Sequence, residues 1–123
     1  MSKSNHTKAF IRKGEVFFLN GALIRAHDSV NVEIMISDTF LLPSQIVSED
    51  TAVSHLKKAY YFIQQMLIEP GFRNQWQNRL DDSLTSLPTE TKNIIQEAVK
   101  ANELQKLLSM IRHETKVDAR PLN

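Results

Sequence analysis

The stretch KKAYYFIQQMLIEPG, residues 57–71, decides how the second half of the chain folds. Taken with the residues before it, Val53, Leu56, Tyr60, Ile63 and Leu67 recur at alternating spacings of three and four, the period of one helix face. Pro70 and Gly71 then stop the helix, because proline lacks the N–H that the next turn would need. The reading is a helix from about Ser48, with Glu49 and Asp50 in its first turn against the positive end of the dipole. The same period continues in Phe72, Trp76, Leu80, Leu84 and Leu87, then in Ile94, Ile95, Ala98 and Val99. A fourth helix carries Leu104, Leu107, Leu108 and Ile111, with Asn102 as its expected cap. Tyr60, Ile63, Leu67 and Trp76 are expected to be buried where the first two helices meet.

Upstream the period changes to two. KAFIR, EVFFL, ALIRA and VNVEIMI are rich in β-branched and aromatic residues and are separated by turn residues. Lys13-Gly14 lies between the first pair. Asn20-Gly21 lies between the second and is the strongest short hairpin signal, since a type I′ turn needs positive φ at both central positions. His27-Asp28-Ser29 turns the chain again. Val30, Val32, Ile34 and Ile36 then share one strand face, and Asn31, Glu33, Met35 and Ser37 the other. A fifth short strand is expected at 39–42, before Pro43. The fold class is α+β: an N-terminal antiparallel β meander followed by about four C-terminal helices. The expectation is one domain over residues 1–123, with a β subregion at 8–47 and a helical subregion at 48–118.

Composition narrows the function classes. The chain has 123 residues and no cysteine, which excludes a disulfide scaffold, a cysteine-ligated zinc and a thiol nucleophile. The N-terminus is polar without an apolar signal region, and no run is long enough to span a membrane, so a cytoplasmic protein is expected. The 15 basic and 14 acidic residues nearly balance. Any nucleic-acid contact must therefore come from a local patch rather than from overall attraction.

Catalytic groupings are weak. His6, His27, His55 and His113 lack metal-pair spacing. Turn chemistry accounts for Asp28, and Asp81 and Asp82 face apart on their helix. No phosphate-binding loop, dinucleotide fingerprint or nucleophile elbow appears. Neither an enzyme nor a cofactor is expected. The best ligand candidate is Tyr61, which a helical wheel places away from the apolar arc, with Lys57 and Lys58 one turn behind and Gln64 and Gln65 just ahead. A ring flanked by cations and amides suits a base and its phosphate. The competing reading makes Tyr61 and Ile68 a second packing stripe. Arg12, Lys13 and Arg25 of the β region extend the candidate RNA-binding set.

Three segments also carry a resemblance: KGEVFFLNGALI at 13–24, DTFLL at 38–42 and LKKAYYFIQQMLIEPG at 56–71. Together they resemble the FlbT family of flagellar regulators. Gly14 and Glu15 match the family's Lys-Pro-Gly-Glu turn, and Asn20, Gly21 and Ala22 match its hairpin. Lys57, Tyr60, Gln64, Met66 and Pro70 match its first long helix. Lys13 departs from the usual proline, Val16 from a frequent basic residue, and Tyr61 from phenylalanine. Arg112 aligns only loosely with an arginine of the last helix. The match covers residues 12–71.

The resemblance implies post-transcriptional control of flagellin synthesis in flagellum biogenesis. The expected activity is repression, by association with the 5′ untranslated leader of flagellin mRNA and promotion of its degradation. It implies no catalytic residues, and a FlaF-like flagellar protein or flagellin as a further partner. The rival reading is a protein-interaction adaptor or chaperone-like module without RNA contact.

Overall fold

The computed structural model describes residues 7–35 and 39–119, with the last helix described by its backbone alone beyond residue 114. Five strands come first: β1 (Thr7–Ile11), β2 (Val16–Leu19), β3 (Ala22–Arg25), β4 (Val30–Ile34) and β5 (Phe40–Leu41). Four helices follow: α1 (His55–Ile68), α2 (Arg73–Leu84), α3 (Thr89–Lys100) and α4 (Leu104–Ala119). This is the expected α+β order. The chain divides into two compact units, Met1–Ile46 and Val47–Asn123.

In the β unit, the Asn20-Gly21 hairpin forms as expected. Leu19 pairs with Ala22 across a two-residue turn, and Asn20 and Gly21 stand at φ 45° and 91°. No atom lies within 4 Å of where a Gly21 side chain would begin. A substitution there is therefore penalised by backbone strain alone. Gly21→Val is expected to cost on the order of 1–2 kcal/mol, read as a shift in the urea midpoint without a change in slope. An unchanged midpoint would contradict the turn assignment.

The strand pairing departs from a simple meander. β2 pairs with β3 on one side and β5 on the other, while β1 pairs with β4 in a separate two-stranded ladder. A tight turn separates β1 from β2. The Glu15 amide donates to the Arg12 carbonyl at 3.0 Å, and Gly14 stands at φ 89°. This turn has glycine where a type II turn requires positive φ. It leads into the β2–β3 ladder, where Gly14 and Ala26 continue the backbone bonding. Lys13 occupies the turn position that favours proline, but its amide donates to Ser29 Oγ at 3.1 Å, a bond that proline could not make.

Among the described residues of this unit, Ile11, Phe18, Ala26 and Leu41 are the buried apolar ones. On β4, Val32 and Ile34 are half-buried and Asn31 and Glu33 exposed, as alternation requires. Val30 is exposed instead of buried. Ile36 and Ser37 lie outside the described residues.

In the helical unit, α1 packs against both α2 and α4, and α3 against α4. The expected start of α1 needs correction. Residues Glu49–Thr51 form a separate 3₁₀ turn, and Ser54 is the true cap, its Oγ accepting from the Lys57 amide at 3.1 Å. Val53, assigned to the buried stripe by its spacing, lies before the helix and is 77% exposed. Asn102 is corrected as well. At φ 58° it closes α3, with its amide donating to the Val99 carbonyl and the Glu103 amide to the Ala98 carbonyl. That bond pair is a Schellman motif, in which asparagine substitutes for glycine in the left-handed position. Arg73 strengthens the cap, donating to Asn102 Oδ1 at 2.7 Å, so a cation sits at the negative end of α3.

Candidate nucleic-acid interface

The six candidate residues fall in the two units. Arg12, Lys13 and Arg25 gather at the open end of the β2–β3 hairpin, all exposed. The turn holds them there. Glu15 folds back so that its Oε1 accepts from the Arg12 amide at 2.8 Å, and Arg25 Nη1 donates to the Gly14 carbonyl at 3.1 Å. Lys57 and Lys58 are exposed in the first turn of α1. Their backbone is fixed by the Ser54 cap, and their side chains face water.

Tyr61 is half-buried and belongs to an aromatic cluster. Its ring meets Trp76 of α2 edge-on, with centroids 5.8 Å apart and planes at 88°, and Phe62 at 5.7 Å. Phe62 and Trp76 stack at 6.3 Å. Arg79 lies 4.9 Å from the Phe62 centroid and 5.2 Å from that of Trp76, pinned by Glu49 Oε2 at 2.8 Å. The Tyr61 phenol is pushed above its ordinary value first by burial and then by the Glu49 charge; Arg79 pulls it down, and Glu69 adds to the rise. The charge around this ring is mixed.

Two residues expected in the core differ from that reading. Trp76 and Leu67 are half-buried. The Trp76 indole N–H reaches Glu69 Oε1 at 2.9 Å, which keeps that ring at the rim. Gln64, placed on the polar side of the wheel, is only 1% exposed. Its carboxamide pairs with the backbone of Val47: Oε1 accepts from the amide at 2.8 Å and Nε2 donates to the carbonyl at 2.9 Å. Nε2 also donates to Gln65 Oε1, and Gln65 donates to Glu69. A continuous chain of bonds thus runs from Val47 to Trp76. Sequence reading missed Gln64 because its partner is a backbone segment that no local pattern announces.

Tyr60 is buried, and its hydroxyl accepts from Arg112 Nη1 at 3.0 Å, which joins α1 to α4. Burial pushes the Tyr60 phenol above 10.0, partly offset by the Arg112 bond and charge. Tyr60→Phe should therefore cost about 1–2 kcal/mol at pH 8 through the lost charge-assisted bond. A folded pKa above the unfolded one means this phenol's contribution is complete below the unfolded value and is lost as pH rises through the folded one. Phenylalanine cannot titrate, so the gap between the two proteins should narrow above pH 10. Urea titrations at pH 8 and pH 11 with a constant gap would refute this.

Of the residues that carry the family resemblance in α1, Tyr60, Gln64 and Met66 are buried while Lys57 is exposed. The first three build the unit; Lys57 lies at its surface. Among the described residues no three His, Asp or Glu side chains could hold a metal ion, and no helix is long and apolar enough to cross a membrane. No buried side-chain nitrogen or oxygen among them lacks a partner. What the geometry presents is surface: an α+β frame with exposed cations and half-open rings.

The chain belongs to the FlbT family, matching the description "Flagellar protein FlbT" over residues 8–119. That match extends through the last helix, well beyond the segment in which the motifs are legible. Proteins of Brucella ovis, Brucella anthropi and Brucella canis are each 38% identical to it over 65 residues, 53% of this chain. Each is named "Probable flagellum biosynthesis repressor protein FlbT". The aligned segment spans 43% of those relatives, less than half their length. No solved structure matches the chain.

Proposed function

We propose that this protein is a regulator of flagellum biosynthesis, acting as a repressor of flagellin synthesis without chemistry of its own. The observation that carries the reading is the family match over residues 8–119. The repressor names of the relatives give its direction. At the finer level, the protein associates with the 5′ untranslated leader of flagellin mRNA and promotes its degradation, as the motif resemblance implies. Lys57 and Lys58 are the phosphate contacts of the helical unit, and Arg12, Lys13 and Arg25 those of the β unit.

Each lost phosphate contact should weaken binding about equally across RNA sequences and shallow the log–log salt slope by roughly 0.7. The test is a titration of wild type and a Lys57→Ala, Lys58→Ala double variant against one leader RNA at several salt concentrations. Superimposable curves would remove these lysines from the interface. A second reading, an adaptor that binds a FlaF-like protein or flagellin, is favoured by the exposed Phe10, Leu23 and Met35 of the β unit. Absence of wild-type RNA binding even at low salt would select it.

A further inference from the structure

We propose that the slot between Phe72 and Trp76 takes a guanine base of single-stranded RNA, stacked on the rings and held at its edges by Glu69 and Arg79. This rests on the RNA-binding reading above. The slot is lined by Glu69, Phe72, Gln75, Trp76 and Arg79. Phe72 immediately precedes α2 and Trp76 lies in its first turn, a four-residue spacing that sets them side by side. Phe72 is 56% exposed, the kind of open ring that a base covers.

The polar groups at the slot decide which base. One Glu69 oxygen already accepts from Gln65 and Trp76. Among the described residues the other oxygen makes no hydrogen bond, so a carboxylate acceptor stands open. Arg79 spends one nitrogen on Glu49, and its remaining N–H groups have no other bond among those residues. A planar ring in the slot thus meets an acceptor and a donor. Guanine offers adjacent N1–H and N2–H donors on one edge and O6 and N7 acceptors on the other. Adenine has no such pair of adjacent donors, and a pyrimidine covers less ring.

The source of the guanine follows from charge. Arg79 is already paired with Glu49, which leaves the Glu69 charge in excess, so the slot has no grip on the phosphate of a free nucleotide. A strand can anchor its phosphates elsewhere. Lys57 and Lys58 lie one turn before Tyr61 and Phe62, the two rings that touch Trp76.

Trp76 is the only tryptophan in the chain, so its fluorescence reports the slot directly. The full chain would be titrated with short uridine-rich RNAs carrying one guanosine, adenosine or inosine, and with GMP. Fluorescence anisotropy of labelled RNA would follow total binding in parallel. The expected result is saturable quenching by the guanosine strand, weaker by about tenfold with adenosine and intermediate with inosine, which lacks the N2 donor. GMP should bind far more weakly than the strand. Phe72→Ala should weaken binding by about tenfold, the scale of one lost stack, with an unchanged circular dichroism spectrum. Glu69→Gln should narrow the guanosine preference.

Equal affinity for all bases, GMP quenching as strongly as the strand, or full affinity in Phe72→Ala would each overturn the proposal. Salt-dependent anisotropy without any change at Trp76 would overturn the slot and leave the RNA reading standing. No binding by either signal would overturn both.

Discussion

Ile63→Ala is expected to lower the unfolding free energy by about 2–5 kcal/mol, among the largest losses available to a single substitution in this chain. Ile63 has no exposed surface, and it lies on α1, the helix that packs against both α2 and α4. Removing its outer carbons forfeits their transfer from water and leaves a space that the surrounding side chains fill only in part. How far the site collapses sets the position within that range. Val53→Ala is the matched control. Its spacing also fits the α1 stripe, but the residue is 77% exposed ahead of the Ser54 cap, so a change within about 0.5 kcal/mol is expected. Chemical denaturation of both variants compares the periodic reading with the observed helix start. Equal losses at the two positions would show that α1 begins earlier than Ser54.

That contrast shows what is legible in this sequence. Asn20-Gly21 is readable because a two-residue turn is specified by its own backbone requirement, independent of the rest of the fold. The helix stripe is readable from Leu56 onward because periodicity integrates many positions. It fails at Val53 since period alone does not locate a helix end, and two serines compete as caps six residues apart, Ser48 and Ser54. Asn102 shows the same difficulty at the other end of the unit. An asparagine between two helices suits either the cap of the next or the left-handed close of the last, and only the backbone decides. The pairing of β1 with β4 is non-local and leaves no mark in either strand's alternation. At the candidate interface, the exposure of Lys57 and Lys58 followed from the wheel. The contact between Tyr61 and Trp76 did not, because it depends on how α2 folds back onto α1.

Gln64→Leu is expected to cost about 2–4 kcal/mol, although leucine is apolar, similar in size and enters a buried position. The loss comes from the other partner. With the carboxamide gone, the Val47 amide and carbonyl lose their 2.8 Å and 2.9 Å bonds, and the half-buried position of Val47 limits their replacement by water. Gln64→Glu separates bonding from shape. A protonated carboxyl accepts from the Val47 amide and donates to its carbonyl, reproducing both bonds. An ionised carboxylate would be buried facing that carbonyl, so its folded pKa must rise above the unfolded value of about 4.3. The sign follows: the variant's stability is fully present below the unfolded pKa and is lost as pH rises through the folded one. Wild type has no titrating group at this position. Urea midpoints between pH 3.5 and pH 8 should therefore converge for the two proteins at the acid end and separate toward neutrality. A Gln64→Leu variant as stable as wild type, or a Gln64→Glu gap independent of pH, would show that the Val47 clasp contributes nothing to holding residues 47–54 in place.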